Sequence, residues 1–195
     1  LAAGDEVLCR KTEPSKVLYY SAEDGRKRLA RRLQRIVEAA GYDPDQIARN
    51  LMVIDASDLE PLYGEQGSRS SSAGRLLGMR ADFQRLQELV AEFDPRLVVI
   101  DGASDTFDGN EIARREVRAF IKLLRRTHPA RTIGVLLLVH IDRSSARGHL
   151  TNDDGYAGSA QWHNSCRRRL FLQQKVERAE ETRDVVSESI TLRVM

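Results

Sequence analysis

The chain has 195 residues, 41% hydrophobic and 31% charged, with a net charge of +2 at pH 7. That length can bury a sizeable core, no apolar run is long enough to span a bilayer, and no signal peptide opens the sequence, so a soluble cytoplasmic protein is expected. Cys9 and Cys166 are the only cysteines and lack metal-ligand spacing, which suits a reducing compartment and argues against a disulfide scaffold. Charge balance alone decides nothing about nucleic acid, although 26 of the 31 basic residues are Arg. Arg forks suit phosphate and carboxylate recognition; codon bias in a GC-rich genome gives the same composition.

In chain order, Val17–Ser21 (VLYYS) is expected to be a buried strand. A helix over Glu23–Ala40 follows, with Leu29, Leu33, Ile36, Val37 and Ala40 on one apolar face and Gly41 as its stop. Asp43–Asn50 predicts a short helix and Leu51–Ile54 a second strand. Ala81–Phe93 is helical, with Phe83, Leu86, Leu89, Val90 and Phe93 inward. Leu97–Ile100 is the third strand, and Asn110–Arg126 a helix facing inward through Ala113, Val117, Phe120, Ile121 and Leu124. Ile133–Val139 is a fourth strand, while Arg169–Gln173 and Ser189–Val194 alternate like a closing antiparallel pair.

Strands apolar on both faces, alternating with helices, predict an α/β fold: a mostly parallel sheet flanked by helices, with a C-terminal antiparallel strand pair. Residues 1–195 are expected to form one domain. Ligands of such sheets sit beyond the carboxyl ends of the strands. The residues placed there are Ser21–Asp24, Asp55–Asp58, Asp101–Asp105 and His140–Arg143. Two long connections leave the same edge, 55–78 and 141–160, and both are expected to be mobile functional loops.

The junction "LVVID", ending at Asp101, has the form of a Walker B element, a strand-end carboxylate that holds Mg2+ through its water. "VLYYSAED" brings Glu23 and Asp24 to the same edge. One carboxylate for the metal and one to polarise a water is the minimum for hydrolysing a phosphoanhydride. Alternatively, Glu23 and Asp24 serve only the electrostatics of the following helix N-terminus. His149, His163 and Cys166 have irregular spacing and no fourth ligand, so zinc is not expected.

"VLYYSAEDGRKRLARRL", "LVVIDGASDTFDGNE", "VLLLVH" and "DDGYAGSAQWHNSCRRRLFL" occur in that order. Together they resemble RecA-like P-loop ATPases of the plasmid and phage replication type, relatives of the hexameric replicative helicases. The resemblance implies a RecA-like fold and an ATP-hydrolysing motor domain, in a ring-forming helicase or replication protein acting on single-stranded DNA. It implies ATP and Mg2+ as cofactors and a homo-oligomer, a hexamer, as the working state. By resemblance Asp101 is the Walker B carboxylate, Glu23 the catalytic base with Asp24 assisting, and His140 the sensor of the γ-phosphate. The 141–160 connection falls where relatives place a channel loop, so Arg143 and Arg147 become candidate nucleic-acid contacts; each also makes sense as a solvated surface Arg. The segment holding Trp162, Asn164, Arg167, Arg168 and Arg169 falls where relatives place an arginine that reaches a neighbour's ATP. Arg167 is the first choice and Arg169 the second; a solvated basic turn is the other reading.

One departure is plain: no G-x-x-x-x-G-K-[ST] occurs in the 195 residues. In the family that loop precedes the strand at Val17, and Leu1–Gly4 resembles the tail of the helix after it. The native chain is therefore expected to be longer, with ATP binding in the family manner dependent on the upstream segment. Two further readings stand beside the motor: a non-hydrolysing nucleic-acid-binding or regulatory module, and a metal-dependent phosphoesterase using Glu23, Asp101 and Asp105.

Overall fold

The computed structural model describes residues 1–6, 10–66, 76–140, 160–178 and 185–194. Four strands form the main sheet: β1 (Val17–Ser21), β2 (Leu51–Asp55), β5 (Leu97–Asp101) and β6 (Gly134–Leu138). All neighbours are parallel, in the order β2-β1-β5-β6. Between β1 and β2 lie α1 (Arg26–Ala40) and α2 (Pro44–Asn50); α3 (Ala81–Phe93) leads into β5. A short helix α4 (Ala103–Thr106) and then α5 (Arg114–Leu124) join β5 to β6. Helix α6 (Ala160–Ser165) precedes a separate antiparallel pair, β7 (Leu170–Arg178) and β8 (Val185–Val194). The expected α/β architecture, parallel sheet plus closing antiparallel pair, is present.

Alternation along the strands divides the sheet into two faces. Leu18 and Tyr20 of β1, with Val98 and Ile100 of β5, pack into one cluster with Phe83, Leu86 and Val90 of α3 and Val117, Phe120, Ile121 and Leu124 of α5. Each such side chain contributes about 1.5–3 kcal/mol when fully buried. Trp162 of α6 closes this cluster, meeting Phe107 and Phe120 edge-on with centroids 5.4 and 6.0 Å away. On the other face, Val53 and Leu138 stay 39% and 37% exposed.

Several boundaries differ from the sequence expectation. The first helix starts at Arg26, not Glu23, because residues 22–24 turn over the sheet edge. Its apolar face is also less covered than expected: Leu29 is buried, but Ile36 is 55% exposed. The helix after β5 starts at Arg114, not Asn110; Asn110 Oδ1 accepts from the Ile112 amide at 2.9 Å and holds that stretch in a turn. The long 55–78 connection contains a small antiparallel pair, β3 (Tyr63–Glu65) and β4 (Leu77–Met79), too short to show in periodicity. The closing pair is longer than expected, and Leu1–Gly4 forms a turn closed by a 3.1 Å bond from the Gly4 amide to the Leu1 carbonyl. Gly41 does end α1, in the left-handed conformation at φ 65° that glycine adopts without strain.

Helix α1 is electrostatically costly. Its first turn has no acidic residue, and Lys27–Arg31, Arg28–Arg32 and Arg31–Arg35 are like-charge i,i+4 pairs. Each such pair costs about 0.2–0.5 kcal/mol in an isolated helix.

Candidate active site

The strand order creates one privileged place. From β1 the chain crosses outward to β2, then returns past β1 to β5 and continues to β6 in the other direction. Connections therefore diverge between the carboxyl ends of β1 and β5, and the crevice at such a switch point is where ligands bind in open α/β sheets. Ser21 and Asp101 are register partners there, level with Asp55 on one side and Leu138 on the other.

Backbone bonds lead the chain across this edge. The Ala22 amide donates to the Asp101 carbonyl at 2.9 Å, and the Ala56 amide to the Ser21 carbonyl at 2.8 Å. Ser21 is fully buried, and its Oγ accepts from the Asp24 amide at 3.1 Å. Gly102 then turns away from β5 at φ 100°, a conformation that suits glycine. A Cβ there would also stand 3.0 Å from the Glu23 Cγ and 3.0 Å from an Asp105 carboxylate oxygen. Glu23 and Asp105 thus lie close against Gly102 at the mouth of the crevice. Buried Thr106 fixes α4 through its Oγ1, which donates to the Gly102 carbonyl at 2.8 Å.

Two carboxylates have partners suited to chemistry. Glu23 Oε1 lies 2.5 Å from His140 Nε2; their side chains are 30% and 74% exposed. The residues are 117 positions apart and meet because β6 lies beyond β5 at the same edge. Asp101 is half-buried, and its Oδ2 accepts from the Tyr19 hydroxyl. Burial, and then the bond to Asp101, push the Tyr19 phenol well above its ordinary value, so it remains a donor at any physiological pH. Tyr19 went unnoticed in the sequence. The available signal was its spacing: two residues before Ser21, it shares Ser21's face of β1 beside the strand that ends at Asp101.

Two further acids at this edge face α1. Asp24 is nearly buried, and its oxygens accept from Arg28 Nη1 at 2.8 Å and from Arg32 Nη1. Asp55 Oδ2 accepts from the Arg26 amide at 2.6 Å, capping a helix whose own N-cap, Gly25, has no side chain to do so. Its Oδ1 accepts from the Ser57 hydroxyl at 2.7 Å and the Ser57 amide at 3.1 Å. The Ser57 hydroxyl first, then the Arg26 and Ser57 amides, lower the Asp55 pKa below its usual value.

Beyond α6, Arg167 and Arg168 are exposed, and Arg169 is half-buried near the Cys166 thiol. Trp162, by contrast, is core. Arg143 and Arg147 lie outside the described residues, as does all of 141–159. Among the described residues no three His, Cys, Asp or Glu side chains are grouped to hold a metal ion. Mg2+ does not need such a cage: it keeps several waters and takes one or two carboxylates plus substrate phosphates. A single half-buried carboxylate with one oxygen fixed by Tyr19 fits that mode, so Asp101 is the residue that would hold the hydrated ion.

Residues 1–146 match the family model described as AAA domain, which covers most of the 195 residues. The chain belongs to the AAA domain family. That membership supports an ATP-driven domain built on a P-loop fold. Among solved structures, the AAA domain is similar to a KaiC-like protein from the hyperthermophilic archaeon Pyrococcus horikoshii at 14% identity. The match covers 93% of this chain and 67% of that one, with a TM-score of 0.47. No curated protein matches. No described helix is long and apolar enough to cross a membrane.

Proposed function

We propose that residues 1–195 belong to a RecA-like ATPase motor domain, cytoplasmic, working in a homo-oligomeric ring on single-stranded DNA. The observation that carries this reading is the meeting of Glu23, Asp101 and His140 around the β1/β5 switch point in a chain of the AAA family. Bound Mg2+ would neutralise charge on the β- and γ-phosphates. Asp101, held by Tyr19, keeps a charged oxygen for the ion's hydration shell. Glu23 is the general base: it accepts the proton of a water that attacks the γ-phosphorus as the bond to the β-phosphate oxygen breaks, giving ADP and phosphate. His140 holds Glu23 in place across the mouth. Because His140 is mostly exposed, a γ-phosphate can draw it away from Glu23, which is how strand-end occupancy is sensed. Asp24, bonded to Arg28 and Arg32, fixes the turn that carries Glu23.

Arg167 is proposed as the finger that completes a neighbour's site, with Arg169 second. Its exposure just past α6 supports this, since a residue acting on another subunit must leave its own core. Arg143 and Arg147 are proposed to contact the DNA backbone. A hexamer is the proposed ring. The phosphoesterase reading would use Glu23, Asp101 and Asp105, and cleavage of nucleic acid with Mg2+ and no ATP would favour it over the motor.

The test is Mg-ATP turnover by the full-length protein. Glu23→Gln is expected to lose about 10²–10⁴ in rate while binding nucleotide normally. Arg167→Ala should lose about 10³–10⁵ with binding intact, the worth of an arginine finger. Mixing the two inactive proteins should restore part of the activity at interfaces that pair an intact Glu23 with a neighbour's intact Arg167. Normal turnover by Glu23→Gln would remove Glu23 from the catalytic role, no turnover by the wild type would leave a non-hydrolysing module as the answer, and an absence of rescue would end the claim for Arg167.

A further inference from the structure

Helix α1 carries a charge arrangement that the crevice chemistry does not use. Lys27, Arg28, Arg31, Arg32 and Arg35 are all exposed and lie together on one side of the helix. At about 100° per residue they fall within an arc of about 140°, and Ala39 is the one apolar residue of the helix inside that arc. Two of the five are answered internally, Arg28 and Arg32 by Asp24. Lys27, Arg31 and Arg35 have no carboxylate partner among the described residues. The helix's own acid, Glu38, shares this arc but stands at its far end, where it accepts from Gln34 at 2.8 Å. Cations in the first turn oppose the helix dipole, and the i,i+4 pairs repel. A helix chosen for stability alone would place acids there. A bound polyanion removes both penalties at once.

We infer that this face of α1 is a docking surface for the phosphate backbone of single-stranded nucleic acid, separate from the crevice. Lys27, Arg31 and Arg35 recur every four residues, about 6 Å apart along the axis and turning about 40° at each step, so they form a row of cations inclined to the helix axis. Such a row tracks one extended backbone, and Arg forks bind its phosphates bidentately. An acidic protein partner would require an apolar centre to its interface, where charge is depleted. The basic arc offers only Ala39, too small to make one. The surface needs no nucleotide, so it stands whether or not the crevice hydrolyses ATP.

Fluorescence anisotropy of a labelled oligo-dT of roughly 20 nucleotides, titrated with the full-length protein across a salt series without ATP, tests this. The triple variant Lys27→Gln, Arg31→Gln, Arg35→Gln leaves the Asp24 pairs untouched. It should bind at least about tenfold more weakly near 0.1 M salt, with a log–log salt slope shallower by about 2, since each lost phosphate contact removes about 0.7. Arg31→Lys with Arg35→Lys should keep the slope. Melting at or above the wild-type temperature is expected of the triple variant because repulsion is removed. Should it fail to fold, Arg31→Gln alone must still lower the slope by about 0.7. Unchanged affinity and slope in these variants, or no oligo-dT binding by the wild type, overturns the inference. So does competition by polyglutamate as effective as that of the oligonucleotide, which would make the partner an acidic protein.

Discussion

Four of the carboxylates at this edge of the sheet divide into two pairs. Asp24 and Asp55 face α1: one is bonded to Arg28 and Arg32, the other caps the Arg26 amide. Glu23 and Asp101 face the switch point, and their partners are a mostly exposed His140 and a single Tyr19 hydroxyl. Adjacent residues, Glu23 and Asp24, thus take different partners, Glu23 meeting His140 and Asp24 meeting Arg28 and Arg32. The helix-facing pair has its oxygens committed to donors that the fold supplies. The crevice-facing pair keeps oxygens that a hydrated ion and a water can use. Position at a strand end does not by itself make a carboxylate functional; what each oxygen already accepts decides it.

Beyond Glu23→Gln, the largest effect that sharpens this division is expected from Asp101→Asn. Asn can still accept from Tyr19, so the local geometry survives while the charge is lost. Mg-dependent nucleotide affinity should fall about tenfold or more, equivalent to at least ~1.4 kcal/mol, with thermal stability nearly unchanged. Titration of nucleotide with and without Mg2+ measures it. An affinity that keeps its full dependence on Mg2+ would remove Asp101 from the metal role.

Much of this edge was legible in the sequence. Apolar runs ending in Asp101 and in the Ser21–Asp24 stretch gave the strands, and the parallel fold class then put their ends together. The pairing of Glu23 with His140 depends on sheet order, which periodicity along one strand does not encode. The roles of Asp55 and Tyr19 were hidden for a related reason: each acts on a neighbouring element, Asp55 from β2 onto α1 and Tyr19 from β1 onto β5. The sequence points to a start of helix α1 three residues early, because Glu23 and Asp24 look like favourable first-turn acids. They belong instead to the turn before Gly25.

Asp24→Asn should separate the pairs in the opposite sense. Asp24 is nearly buried, but Arg28 and Arg32 are 69% and 60% exposed and stay hydrated when it is neutralised. The loss is therefore moderate, about 1–2 kcal/mol, read as a lower urea midpoint. Turnover of the folded protein should remain within a few-fold of wild type, with oligonucleotide binding undiminished because Arg28 and Arg32 are released. A collapse of turnover comparable to that of Glu23→Gln would place Asp24 in the catalytic pair and break the division.

The smallest effect belongs to Asp55→Ala, and its pH dependence identifies the cause. The Ser57 hydroxyl and the Arg26 and Ser57 amides all donate to the charged carboxylate, so its folded pKa lies below its unfolded value. The unfolded chain then takes up the proton more readily. The stability this group contributes is fully present above the unfolded value, near 3.9, and is lost as pH falls through the lower folded pKa. Asp55 is exposed, so the contribution is screened and should be smaller than that of Asp24. Wild type should melt slightly above Asp55→Ala at pH 7, and the gap should close as pH is lowered below about 4. A gap that persists unchanged into acid would mean that Asp55 acts through shape and not through its charge on the α1 N-terminus. A loss of ATP turnover at neutral pH would mean that the carboxylate next to β1 on the far side from Asp101 also reaches the crevice.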